Sequence, residues 1–486
     1  MRELLDRAVG LAVLLLANCV PVVAQTVEHD FPSPEALDPW QVELGEGYEF
    51  AWDEDGGGSL RIEREDPDAP NFLANIGRRV DRGSSTVAEV SARVRTEDAG
   101  EARLLLLAED DGGAIAFENM YGEGISGTSD WTSLKTRLAI PTDASSISYG
   151  LLLNGRGRAW FDDVVFRAVD TRTLPPAADE SADFLAQALD IIEDRALYRE
   201  RVDWVATRAW ADTLIRGTSS PDEAYLAIEY AIDRLDDGHS SIMPPEVRAE
   251  WAGESGTPVG PAPSGGLSAE GIAHLVVPTM PTIDVEAETT YANALLEVIE
   301  QLAPAATCGW IVDLRQNRGG NMWPMLAGLS PLLEGSPVGG FRDAEGALVE
   351  WWVEGGAAGT STHGEREAMV RASGNHGGVP GLSAAPVAIL TGRRTASSGE
   401  AAAMAFSGRL NSVRVGEPTR GQSTSNEVFE LSDGGALVLT TAVFADRNGI
   451  GSGEPLQPDI RVETDSALAA AHAWLKRSGT CAASIG

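Results

Sequence analysis

Lysine is nearly missing from this 486-residue chain: Lys135 and Lys476 are the only two, and every other basic residue is arginine. Chemistry that needs a lysine amine therefore has just two places to find one. Positive charge is scarce overall, with 37 basic residues against 73 acidic ones and a formal net charge of −36. That balance excludes a nucleic-acid binder working by broad charge attraction, because a phosphate backbone would be repelled at long range. Cysteine is limited to three residues, with no CxxC and no His/Cys group at zinc spacing, which argues against a structural metal site. What is present in quantity is core material: 43% hydrophobic residues, including 12 Trp. At roughly 100–200 residues per domain, two to four domains are expected.

The chain begins with Met1-Arg2, continues with an apolar run from Ala8 to Val20, and reaches Pro21-Val22-Val23-Ala24 before turning polar. A short basic start, an apolar stretch too short to span comfortably, and small residues before a cut after Ala24 describe a secretory signal peptide over 1–24. Export to the periplasm or the outside is the expectation. A lipid anchor at Cys19 is the weaker alternative, since Asn18 is a poor neighbour for a lipidated cysteine. No later segment is apolar enough to cross a bilayer. Cys308 and Cys481 remain after cleavage. They could pair and pin the C-terminal tail, but the plainer expectation is a packed thiol at Cys308 and a frayed tail around Cys481.

Residues 27–170 alternate short apolar runs with Gly/Asp/Ser turns, as in Val87–Val94, Ile147–Leu153 and Ala159–Phe166, with almost no helical period. This predicts an all-β sandwich of jelly-roll type. Its last strands resemble the closing part of carbohydrate-binding-like modules, so Trp131 or Trp160 could meet a glycan or a partner, although a core role is the simpler one for each. After the hinge Thr173–Ala178, residues 174–250 show helical periodicity and read as a small bundle. Within it, Ser220-Pro221-Asp222-Glu223 supplies a helix start and Gly238 a stop, delivering His239 at a C-terminal turn. A Gly/Pro-rich linker at 252–265 leads to alternating strands and helices over 266–466, a layered α/β domain, followed by a C-terminal helix and tail at 467–486. The whole is a multidomain α+β chain.

Three segments carry chemistry: LDDGHSS at 235–241, GWIVDLRQNRGGNMWP at 309–324 and TGRRTASSGEAAAMAF at 391–406. Together with GEPT at 416–419 and Pro458-Asp459-Ile460, they resemble the tail-specific or C-terminal-processing serine peptidases. The resemblance covers roughly 175–465 and implies a ClpP/crotonase-like catalytic fold. Read on its own, Ser397 follows a buried strand and sits where a helix begins, so amides such as that of Ser398 could stabilise an oxyanion. It could equally be an N-cap with Glu400 closing a capping box. The companion motifs favour a nucleophile, and the family's serine lies three residues before its glutamate, which selects Ser397 over Ser398. The Asn317–Gly320 turn resembles the family's other oxyanion wall, with Gly319 or Gly320 donating an N–H.

The family's usual base is a lysine in a GK step after GEPT. Here Arg420-Gly421 is followed by Gln422, whose neutral amide cannot take a proton. The chain's two lysines lie in the sandwich and the terminal helix. In the branch resembling the tricorn core protease a histidine activates the serine, and DGHS at 237–240 is similar to that element, which makes His239 the base. His29, His274, His363, His376 and His472 lie in no comparable motif. A carboxylate or hydroxyl should orient the imidazole: Glu454 resembles the branch's glutamate, with Asp446, Asp237 and Ser240 as alternatives. Asp313 reads as the anchor of a strand end.

These readings converge on an exported serine endopeptidase acting on a peptide or protein, without metal or organic cofactor. Roughly 30 residues between His239 and the first catalytic strand are too few for a PDZ module, domains usually needing at least about 50. The alternative is an inactive binding protein of the same fold, resembling interphotoreceptor retinoid-binding protein, with WPMLAG and Trp351-Trp352 lining an apolar pocket.

Overall fold

The computed structural model describes residues 25–54, 58–65, 73–120, 123–251, 260–333, 335–373 and 381–478. The signal-peptide reading and Cys481 fall outside them. The chain forms two compact units: one up to Leu189 together with Asp203–Asp236, the other Asp190–Val202 together with the chain from Asp237 onward. This redraws the boundary expected from sequence. The helices of 174–250 do not make a unit of their own, and His239 belongs with the α/β domain.

In the first unit, ten strands form one hydrogen-bonded network. Its spine is β1 (Val87–Asp110), which pairs through its first half with β3 (Gly157–Val169) and through its second half with β2 (Ser146–Asn154). Side chains alternate across a strand, so Val90, Ala92 and Val94 are buried while Ser91 and Arg93 face outward. The network closes over one core containing Leu60, Ile62, Leu104, Tyr149, Phe161 and Phe166, the jelly-roll-like sandwich that the strand spacing implies. Trp160 is buried and donates its indole N–H to Asp53 at 3.0 Å. The guanidinium groups of Arg93 and Arg95 lie 5.0 and 5.6 Å from the Trp131 ring centre.

The helices are α1 (Asp179–Arg195), α2 (Trp204–Leu214), capped by Asp203, and α3 (Tyr225–Asp233). The capping sequence at 220–223 forms a 3-10 turn ahead of α3. Glu223 there accepts from the Ser219 N–H, one residue earlier than a capping box on Ser220 requires.

The second unit begins its sheet structure with β4 (Ser241–Met243), two residues after His239. A six-stranded sheet follows, whose parallel centre is β5 (Ile272–Val276), β6 (Gly309–Asp313), β7 (Val387–Thr391) and β8 (Ser412–Gly416). All five residues of β6 are buried, as parallel strands covered on both faces must be. One face packs on α4 (Val285–Leu302), α5 (Met322–Leu329) and α6 (Ser398–Met404), and the other on α7 (Ala467–Arg477). The C-terminal helix is thus part of the domain's core. Cys308, buried beside β6, is disulfide-bonded, which corrects the expectation of a free packed thiol.

A second, antiparallel sheet holds β9 (Thr424–Glu430) and β10 (Ala436–Asp446), with β4 paired to β10 at Ala436–Val438. Most of the residues expected to line an apolar pocket belong to a hydrophobic core cluster. Met325, Leu326 and Trp351 are fully buried, and the Trp351 ring lies 5.0 Å from Phe341 and 5.4 Å from Phe444. Each such burial contributes roughly 1.5–3 kcal/mol.

Candidate active site

Strand β7 ends at Thr391, and a five-residue loop carries the chain to Ser397 at the head of α6. Ser397 has φ +49° and ψ −122°, a strained conformation for a residue with a side chain. Glu400 holds it there. This fully buried carboxylate accepts from the Ser397 N–H at 2.9 Å, the Gly421 N–H at 3.1 Å, the Gln422 N–H at 2.8 Å and the Thr419 hydroxyl. Burial pushes Glu400 up to about 7, against the lowering pull of those four donors. The capping-box half expected of Glu400 is therefore present, but it forms part of a larger clamp that joins the serine to the loop at 419–422.

His239 comes to the same place from the other end of the domain. Asp237 shapes its turn by accepting from the His239 and Ser240 N–H groups at 2.9 and 2.8 Å and from the Ser240 hydroxyl at 2.6 Å. Strand β4 then fixes the following residues to β10. The imidazole Nε2 lies 3.1 Å from Ser397 Oγ, and Nδ1 lies 2.7 Å from Thr424 Oγ1. Burial lowers His239 to about 4; Asp237 opposes this and the Arg420 charge adds to it. The ring is neutral at pH 7.

Thr424 occupies the orienting position that the sequence offers to Glu454, which corrects that reading. Glu454 is exposed, and its hydrogen bonds to Ser423 and Ser452 run through its backbone. Of the alternatives, Asp237 accepts from the backbone of the turn, the Ser240 hydroxyl donates to Asp237 and accepts from the Thr440 N–H on β10, and Asp446 closes the turn at 446–450. The signal for Thr424 was faint: a polar Gln422-x-Thr424-x-Asn426 alternation.

The glycine turn also departs from expectation in one detail. The Gly319 N–H donates to Asn317 Oδ1 at 2.9 Å, so it is already engaged. Gly319 is instead needed for contact: a Cβ there would come within 2.7 Å of Ser397 Cβ, at φ +104°. Among the described residues the Gly320 and Ser398 N–H groups have no protein acceptor. Asn317, fully buried, locks the turn by donating to the Val277 and Pro278 carbonyls, both at 3.0 Å. Asp313 anchors the strand end, as expected: although burial raises it, hydrogen bonds from His274 and Arg315 hold it down to about 2.

A parallel sheet with a strained serine at a strand-to-helix turn, a neutral imidazole on its hydroxyl and a glycine turn alongside is the arrangement of a serine hydrolase. The sequence comparisons specify the class further. Residues 271–462 match the model of Peptidase family S41. It is 34% identical over 172 residues to the nisin-resistance protein of Lactococcus lactis, covering 35% of this chain and 50% of that one. It is 35% identical over 81 residues to the chloroplastic carboxyl-terminal-processing peptidase 1 of Arabidopsis thaliana, 16% and 17% of the two chains. The chain thus spans half or less of the length of these curated relatives. Its fold is similar to that of a lipoprotein from Streptococcus agalactiae, with TM-score 0.50 and 25% identity over 62% of this chain and 97% of that one.

Proposed function

We propose that the protein is an exported serine endopeptidase in which Ser397 is the nucleophile and His239 the general base. The observation that carries this reading is the 3.1 Å contact between His239 Nε2 and Ser397 Oγ, with Nδ1 tied to Thr424. When the Nδ1–H donates to Thr424 Oγ1, Nε2 is left as the acceptor for the Ser397 hydroxyl. Ser397 Oγ attacks the peptide carbonyl carbon as its proton passes to Nε2. The tetrahedral oxyanion is met by the Ser398 and Gly320 N–H groups, each such donor being worth about a hundred- to thousandfold in rate. The C–N bond breaks as Nε2 returns the proton to the leaving amine. Water, deprotonated by the same nitrogen, then cleaves the acyl-enzyme.

Burial keeps the imidazole unprotonated at neutral pH, so the base is ready without a carboxylate beside it. The net charge of −36 disfavours strongly acidic substrates. Export rests on the signal-peptide reading of residues 1–24 and is checked by the mature N-terminus, expected at Gln25.

The test is labelling of the mature protein with a fluorophosphonate probe and mass spectrometry of the modified peptide. Ser397 should be labelled in the wild type and not in Ser397→Ala. The His239→Ala rate should fall by about a hundred- to ten-thousandfold. Labelling that is indifferent to His239, or absent from folded wild type, would sink the mechanism.

A further inference from the structure

We propose that Gln422 and Asn426 are positioning residues that hold the His239 loop in register with Ser397 through two backbone carbonyls; this rests on the Ser397–His239 assignment above. Thr424 and Asn426 lie two apart on β9, so their side chains share a face, and Gln422 lies two residues before the strand begins. Each meets the same short loop. Gln422 Nε2 donates to the Gly238 carbonyl at 2.7 Å, Thr424 meets Nδ1, and Asn426 Nδ2 donates to the His239 carbonyl at 2.9 Å. Both amide orientations are settled by chemistry, because a carbonyl can only accept. Asn426 is fixed a second time, its Oδ1 accepting from the Thr440 hydroxyl at 2.9 Å.

The loop needs such support. It contains two left-handed residues, Asp236 and Gly238, and is followed by a strand of only three residues. Gly238 is exposed, so its carbonyl could be hydrated without any help from Gln422. A side chain there is required for placement rather than to satisfy a buried acceptor. Gln422 is also tied at its other end: its backbone N–H donates to Glu400 Oε2, the atom that accepts the Ser397 N–H. One residue therefore links the anchor of the nucleophile to the loop of the base.

The experiment uses Gln422→Met and Asn426→Leu in the mature protein. Both keep the side-chain size closely and remove the donor without adding a charge beside His239. Readouts are the fluorophosphonate labelling rate at Ser397, the NMR titration of the His239 imidazole assigned with His239→Gln, and the melting temperature. Labelling should slow by about ten- to a hundredfold, the scale of a small misplacement of a reacting group. The His239 titration should rise from about 4 toward the ordinary 6.5 as the ring leaves its buried place. Glu427→Gln, at the alternate position of the same strand, should stay within about twofold of wild type. Labelling rates equal to wild type with an unmoved His239 titration would overturn the proposal, as would a lowered melting temperature with that titration unmoved. If wild type is not labelled at all, the peptidase reading fails, and the titration alone still decides whether these residues hold the loop.

Discussion

Ser397 is anchored through a buried carboxylate, whereas His239 is anchored through a hydroxyl and two amides. The contrast follows from what each group must do. The serine backbone has to be kept at a strained positive φ, and Glu400, with four donors converging on its two oxygens, ties it to the loop at 419–422. The histidine has to stay unprotonated until the reaction begins. A carboxylate at Nδ1 would favour the imidazolium and raise its pKa, while the Thr424 hydroxyl leaves burial free to lower it. The rigid partner is held by a carboxyl group and the mobile proton's carrier by a hydroxyl and two amides.

The harshest way to break this contrast is to remove the carboxyl group. Glu400→Ala leaves the Ser397, Gly421 and Gln422 N–H groups without their acceptor in a buried site. It should cost on the order of 3 kcal/mol in urea unfolding and abolish labelling of Ser397. The same carboxyl has a pH signature. Its folded pKa, about 7, lies above the ordinary 4.5, so its contribution to stability is full below 4.5 and is lost as pH rises toward 7. Unfolding measured across that window should show this loss in wild type and not in Glu400→Gln. An unchanged profile in the variant would remove Glu400 from the account of the serine's anchor.

A milder break falls on the neutral side. Thr424→Val deletes the Nδ1 partner and should slow labelling about ten- to a hundredfold through misorientation of the ring. In wild type the rate should hold from neutral pH down to about 4, where the imidazole takes its proton. Thr424→Asp sharpens the comparison by placing a carboxylate where the hydroxyl was. The anion favours the protonated ring, so the acid limb should move upward. An acid limb that stays in place in Thr424→Asp would mean that the hydroxyl does not set the titration of the base.

The two anchors also differ in how far they could be read from sequence. Glu400 lies three residues from Ser397, and its link to the serine backbone is a local pattern that a capping box makes visible. Thr424 lies 185 residues from His239, and nothing in the spacing of either residue pairs them. The strands of the first unit were legible because burial repeats with the period of the strand, and the run Gly309–Asp313 because it is buried throughout and bounded by turns. Two assignments were not. Gly319 looked like an oxyanion donor, and only the position of the Asn317 side chain shows its N–H to be engaged. The pocket residues around Trp351 looked like a ligand site because an apolar run reads the same whether it lines a cavity or fills a core.

The smallest expected effect tests the same contrast from outside the site. Glu454 is the carboxylate that family resemblance would place on the histidine, and a charge there would make the two anchors alike. In the structure it is exposed, and Thr424 stands at Nδ1 instead. A carboxylate in that position influences the imidazole only through solvent, where an ion at a distance is worth little. Glu454→Gln should therefore leave the labelling rate within about twofold of wild type and the acid limb of its pH profile in place. A tenfold loss, or a downward shift of that limb, would show that an anion supports the base during the reaction, and the division between a carboxyl anchor and one of hydroxyl and amides would fall.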